Sequence, residues 1–216
     1  MARAPRLRAR ARPLPSAATR VLLCPRPLRA RARFLQDWAD SRLTALGRSQ
    51  ASALAAVLAP LRMDVVFTSC LSRTIETALL AVPGPPTAPP RPPFVALDVL
   101  RERIGTHPCD RRRSRAALAA DFPNVDFSDL ATEEDDKWTP EREPWADVVV
   151  RAERFCGIVR QRSEAHIAAA THNDLLQGLL LKSRVALADE ALRVVFGNAE
   201  HLPTVLCWRK VAPNAA

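Results

Sequence analysis

Three polar residues in this 216-residue chain are singled out by what precedes them. Arg73 comes shortly after the run "DVVFTS", Glu102 follows "FVALDVL", and His172 follows "HIAAAT" and leads straight into Asn173 and Asp174. An arginine fork matches the paired oxygens of a phosphate, and a helix N-terminus supplies N–H donors and a favourable dipole for an anion. A carboxyl group beside such a cradle can protonate the leaving oxygen of a phosphate ester, and a histidine can carry or stabilise the phosphoryl group. Each residue taken alone also has an ordinary reading. Arg73 could pair with Glu76 or Glu102 at the surface, Glu102 could be a loop carboxylate, and His172 could be a core or capping histidine. Their common position, each just past an apolar run, is what points to chemistry.

Those runs read as strands and the segments between them as helices. "LTALGRSQASALAAVLAPL" puts Leu46, Leu54, Val57, Leu58 and Leu61 at spacings of three and four, with Thr44 as N-cap and Pro60 near the end, which predicts a helix with one buried face. "DVVFTS" predicts a strand, "LSRTIETALLAV" a helix ended by the Pro-rich loop 83–93, and "FVALDV" a second strand. Residues 101–144 read as irregular apart from the short helix "RAALAADF"; "ADVVVRAERFCGIVRQRS" predicts an amphipathic helix, "HIAAATH" a buried strand and "DLLQGLLL" a helix. Strands alternating with helices predict an α/β fold of three layers, a mostly parallel sheet with helices on both faces. In such sheets ligands gather at the carboxyl ends of the strands, where the three residues fall. No internal repeat of 20 to 50 residues is present.

The net charge of +9 suggests nucleic acid until its placement is considered. Residues 1–33 hold ten arginines and no acid, which leaves the other 183 residues at −1. A basic folded face is therefore not expected and nucleic-acid binding is not the favoured reading; the Arg-rich arm keeps an RNA-associated role as an alternative. Residues 1–19 read as a disordered Arg/Ala/Pro-rich tail, 20–210 as one domain and 211–216 as a short tail. The arm shares the acid-free character of a mitochondrial transit peptide, but Pro5, Pro13 and Pro15 break the helix such peptides form. Cys24, Cys70, Cys109, Cys156 and Cys207 are scattered singly, so reduced thiols and a cytoplasmic location are expected. No apolar run is long enough to predict a membrane span.

"LTALGRSQASALA", "VVFTSCLSRTIETA", "LRERIGTHPCDRRRS", "DFPNVDFS", "EEDDKW", "IAAATHNDLLQGLL" and "FGNAE", in that order, resemble the phosphoglycerate mutase-like branch of the histidine phosphatase superfamily over residues 37–208. The specific parts are Ser-x-x-x-Arg-Thr-x-x-Thr-Ala from Ser69 to Ala78 and Thr-His at 171–172; Cys109 to Arg112 and Glu133 to Trp138 resemble a subgroup. The resemblance implies hydrolysis of a phosphomonoester through a phosphohistidine, with Arg73 a phosphate clamp, Glu102 the proton donor and His172 the second histidine, which stabilises the transferring phosphoryl group. It implies no metal and no cofactor, and a phosphorylated small molecule or phosphoprotein as partner. It also implies a nucleophilic histidine in an Arg-His-Gly-like triplet 17 to 19 residues before Leu43, where this chain has Pro25, Arg26 and Pro27; no histidine precedes His107. Arginine stays protonated and cannot accept a phosphoryl group near neutral pH. Two explanations stay open: a misread start to the gene, or a phosphatase-like domain that binds phosphorylated ligands without turning them over. Arg111, Arg112 and Arg113 read either as contacts for a substrate's distal anion or as a solvated loop.

Overall fold

The computed structural model describes residues 38–82 and 91–183. Expectations for both tails, for residues 20–37 and for the chain beyond Ser183 lie outside them.

Four strands make one parallel sheet, β1 (Val65–Ser69), β2 (Phe94–Leu97), β3 (Val125–Asp126) and β4 (Ile167–Ala170), in the order β3-β2-β1-β4. Val66 sits opposite Phe94 on one side and Ala168 on the other. All five β1 residues are buried, and because successive side chains point to opposite faces they feed two cores. Val66, Phe94 and Ala96 pack with Ile75 and Ala78 of helix α2 (Ser72–Ala81) and Leu118 of α3 (Arg115–Asp121). Val65, Phe67 and Leu97 pack with Val148, Ala152 and Phe155 of α4 (Trp145–Arg160) and Leu175 of α5 (Asn173–Gln177), Phe155 meeting Phe67 edge-on at 6.2 Å. Helices thus cover both faces. The outward crossovers β1-α2-β2 and β2-α3-β3 use one face and the return through α4 to β4 uses the other, as right-handed connections require.

Helix α1 (Ala45–Leu58) starts where Thr44 predicted, the Thr44 hydroxyl accepting the Gly47 N–H at 3.1 Å. Its buried face differs from expectation in part. Leu54 and Leu58 are half-buried beside Ala51, the buried residue where α1 packs on α2, but Leu46 (66% exposed), Val57 (48%) and Leu61 (50%) point outward. A close helix–helix approach selects small side chains, which the leucine periodicity does not report. Strand β4 also departs from expectation: it lies at the sheet edge among the described strands, none of its residues is fully buried, and Ala169 is exposed. Two-residue β3 is too short to show an alternation and was not expected. The last predicted helix is α-helical only to Gln177 and becomes a π-helical turn over Gly178–Lys182. Gly178 permits the close approach there, since a Cβ would stand 2.9 Å from Val148 Cγ1 of α4 and force a shift.

Candidate functional site

Arg73 lies in the first turn of α2, just beyond the carboxyl end of β1, and the Ser69–Ala78 motif explains its placement. Ser69 Oγ accepts the Leu71 N–H at 3.2 Å and shapes the turn. Helix α2 is capped from a distance: Asp40 accepts the Ser72 N–H at 2.7 Å and the Ser72 hydroxyl at 2.5 Å, doing what Leu71 at the N-cap cannot. Thr77 donates back to the Arg73 carbonyl at 2.8 Å, and buried Ala78 packs under the sheet. Thr74 faces the same way as Arg73 and bonds His172 Nε2 at 2.9 Å.

His172 lies two residues past the end of β4 and stands at the N-cap of α5, 8% exposed. Its neighbour Thr171 donates to the Leu100 carbonyl at 2.8 Å and so fastens the end of β4 to the turn after β2. One Arg73 terminal nitrogen is 3.4 Å from His172 Nδ1. Guanidinium can only donate, so Nδ1 accepts and Nε2 carries the proton toward Thr74. Burial, then the positive charge of Arg73, Arg151 and Arg101, drives the His172 pKa well below the usual range, which keeps the ring neutral.

Glu102 follows the 3₁₀ turn Asp98–Leu100 and accepts two backbone N–H groups on Oε1, from Arg103 at 2.8 Å and from Asp174 at 3.2 Å. Burial pushes its pKa up, with Asp174 and Asp110 adding repulsion that outlasts the pull of Arg73. A carboxyl group so biased is suited to hold a proton. The structure therefore brings Arg73 and His172 into contact and sets Glu102 against the turn that begins α5. Arg73 pairs with neither Glu76 nor Glu102: Glu76 takes Arg42 and Arg48, while Arg73 donates to Asp110 at 2.9 Å and to the Cys109 carbonyl at 2.6 Å.

The irregular stretch is organised by the two subgroup motifs. Asp135 accepts Arg101 through both oxygens, at 2.9 and 2.6 Å, and also the backbone N–H of Arg112, Lys137 and Trp138. Trp138 donates to the His107 carbonyl at 3.0 Å and is covered by Arg111. Arg112 is neither solvated nor offered to an anion: it is 4% exposed and donates to the carbonyls of Arg113, Thr132, Glu133 and Glu134. Arg113 is spent on Asp40, Asp121 and Ser72. Arg151 holds the Glu102 turn, donating to the carbonyls of Val99, Arg101 and Glu102 while Glu143 grips it from the other side. Arg142 bridges the Gly105 carbonyl, Asp110 and, at 3.6 Å, Asp174. Asp110 was flagged in sequence only as part of a motif, and Arg142 and Arg151 carry no sequence signal at all.

The other histidines stand apart. His166 pairs with Asp64 before β4 begins, whereas His172 follows its end; six residues of extended chain separate them by about 20 Å. His107 is exposed on the turn ahead of Cys109, and His201 lies outside the described residues. Cys70, Cys109 and Cys156 are free thiols, and no helix of the described residues is long and apolar enough to cross a membrane.

A phosphoglycerate mutase-like protein of Arabidopsis thaliana is 34% identical over 174 residues, covering 67% of this chain and 64% of the relative. Phosphoglycerate mutase-like protein 1 of the same plant is 29% identical over 188 residues, covering 74% and 65%. The chain thus spans somewhat under two thirds of the length of these relatives. Among solved structures, the native mycobacterial glucosyl-3-phosphoglycerate phosphatase is 27% identical with a TM-score of 0.43, covering 66% of this chain and 68% of that one. The family model described as histidine phosphatase superfamily (branch 1) matches residues 27–201. That match takes in the β1-α2 motif, the carboxylate after β2 and the histidine after β4, and the chain belongs to the histidine phosphatase superfamily.

Proposed function

We propose that this chain binds a phosphomonoester, on a small molecule or a phosphoprotein, at the edge formed by Arg73, His172 and Glu102, and that it does not pass the phosphoryl group through a histidine. Arg73 supplies the charge, neutral His172 a ring whose Nδ1 faces the Arg73 guanidinium without adding a competing charge, and Glu102 a carboxyl biased toward its protonated form. The observation that carries the second half is the histidine inventory. The positions that the family resemblance assigns to the nucleophile's triplet hold Pro25, Arg26 and Pro27, and among the described residues His172 has both ring nitrogens engaged, His166 is at the far end of its strand and His107 is exposed on a turn. Loss of a catalytic nucleophile lowers turnover on the order of 10⁴-fold or more.

The raised pKa of Glu102 favours a second reading, an active phosphatase that retains its leaving-group acid. One experiment separates them. The purified chain is titrated with inorganic phosphate by calorimetry and assayed for phosphate release from an aryl phosphate. Saturable binding that His172→Ala weakens, without release above the solvent rate, is expected. Release abolished by His172→Ala, with a phosphohistidine trapped on the chain, would refute the binding-only reading, and absence of phosphate binding would refute both.

A further inference from the structure

Arginine carries about 2 kcal/mol of rotamer entropy, so a lone Arg73 would make a poor clamp unless something holds its plane. Two groups of the Pro108–Asp110 turn do so. One terminal nitrogen donates to the Cys109 carbonyl at 2.6 Å; the other gives one N–H to Asp110 Oδ1 at 2.9 Å and faces His172 Nδ1 with its second, at 3.4 Å. Three of the five N–H donors are then used, which leaves two for a ligand. Asp110 is 3% exposed, and its other oxygen accepts Arg142 at 2.7 Å. Arg142 in turn donates to the Gly105 carbonyl at 2.7 Å and approaches Asp174, whose N–H is held by Glu102. A continuous polar chain therefore runs from Glu102 through Asp174, Arg142 and Asp110 to Arg73 and His172.

We infer that Asp110, braced by Arg142, is the positioning residue of this site: its carboxylate orients the Arg73 guanidinium against His172 Nδ1 and so prepares the clamp before any ligand arrives. Asp110 itself does not touch the ligand, because its two oxygens are committed to Arg73 and Arg142. A carboxylate at the clamp does not cancel it, since Asp110 is shared between two guanidinium groups and the trio keeps a net positive charge. A solely structural Asp110 would affect stability but leave the Arg73–His172 contact as it is.

The inference rests on phosphate binding at Arg73, and its test has an arm free of that reading. In the ligand-free full-length chain, the side-chain ¹⁵N resonances of His172 should report an Nε2–H tautomer with Nδ1 accepting a hydrogen bond. Asp110→Asn should move the Nδ1 resonance toward that of an unbonded nitrogen, and Arg142→Gln should move it the same way by less. Inorganic phosphate should bind Asp110→Asn about tenfold or more weakly than wild type, the scale of losing a charge-assisted bond. His172 resonances unchanged in a folded Asp110→Asn chain would overturn the inference. Should that variant not fold, an unchanged Nδ1 resonance in Arg142→Gln would do the same. A wild-type chain that shows the tautomer signature but binds no phosphate would refute the proposed function and leave the positioning contact standing.

Discussion

The pair Arg101 and Asp135 offers the sharpest perturbation. Arg101 has no exposed side-chain surface, the Asp135 side chain is 1% exposed, and two bonds of 2.9 and 2.6 Å join them. Asp135→Ala leaves a buried guanidinium whose remaining partners are the Asp110 carbonyl at 2.8 Å and Asp98 at 3.5 Å. Breaking one side of a buried pair costs about 3–5 kcal/mol, and at about 2–4 °C per kcal/mol for a chain of this size the melting temperature should fall by roughly 6–20 °C. Replacing both partners, as Arg101→Met with Asp135→Leu, removes the stranded charge and should recover most of that loss. Urea and thermal unfolding followed by circular dichroism read both numbers. The pair also has a pH signature. Burial alone would raise the Asp135 pKa, but the hydrogen bonds and charge of Arg101 outweigh it and hold the carboxyl below its ordinary value of 3.8. The stabilisation it gives is therefore complete above about pH 4 and lost as pH falls through the folded value. An Asp135→Ala chain that stays folded, loses less than about 1 kcal/mol and keeps the wild-type acid transition would refute this account.

Two further outcomes concern the site itself. His172 is held neutral with a depressed pKa, so the unfolded chain takes up a proton near pH 6.5 that the folded chain refuses; stability should fall as pH drops below about 6.5, by up to about 1.4 kcal/mol per pH unit, and the difference from His172→Gln measured by urea unfolding between pH 5 and 7.5 isolates it. Glu102 has the opposite sign, with a folded pKa raised above its ordinary value of 4.5; its contribution is present below that value and declines as pH rises through the folded one, so Glu102→Gln should be at least as stable as wild type above the folded value and should remove the decline between the two.

What could be read from sequence follows the range of the interactions. Helices α2 and α4 have local periodicity, strand β1 is a short run rich in strand-forming residues, and the Thr44 cap is settled by a residue three positions on, so all were legible. Arg73, Glu102 and His172 were expected at one edge because strand ends in a parallel sheet converge, a rule that needs no knowledge of side-chain contacts, and the structure brings Arg73 and His172 into contact. Asp110, Arg142 and Arg151 were not given roles, since their decisive partners lie 32 to 52 residues away in an irregular segment without period. The α1 face was misread in part for a related reason: buried Ala51 leaves no hydrophobic peak, whereas outward Leu46 and Val57 do, and only Leu54 and Leu58 of the expected positions are half-buried.

Arginine does two jobs here, and composition cannot tell them apart. Residues 101–144 contain little regular structure, so many carbonyls would lack partners. Arg101, Arg112 and Arg151 supply them, reaching the carbonyls of Asp110, of 113 and 132–134, and of 99, 101 and 102. A planar fork with five donors can serve several acceptors from inside a loop; lysine, a compact charge with three, cannot take its place. What marks Arg73 as the different one is the use of its donors. Both Arg112 terminal nitrogens are committed to the 132–134 loop and the Arg113 carbonyl, so an anion reaching it must first unfold that loop. Arg73 is held at three points beside a neutral histidine and still has two N–H groups to give. An arginine that is both fixed and unfinished is what the proposed phosphate binding needs, and among the described arginines near His172 only Arg73 bonds to the ring itself.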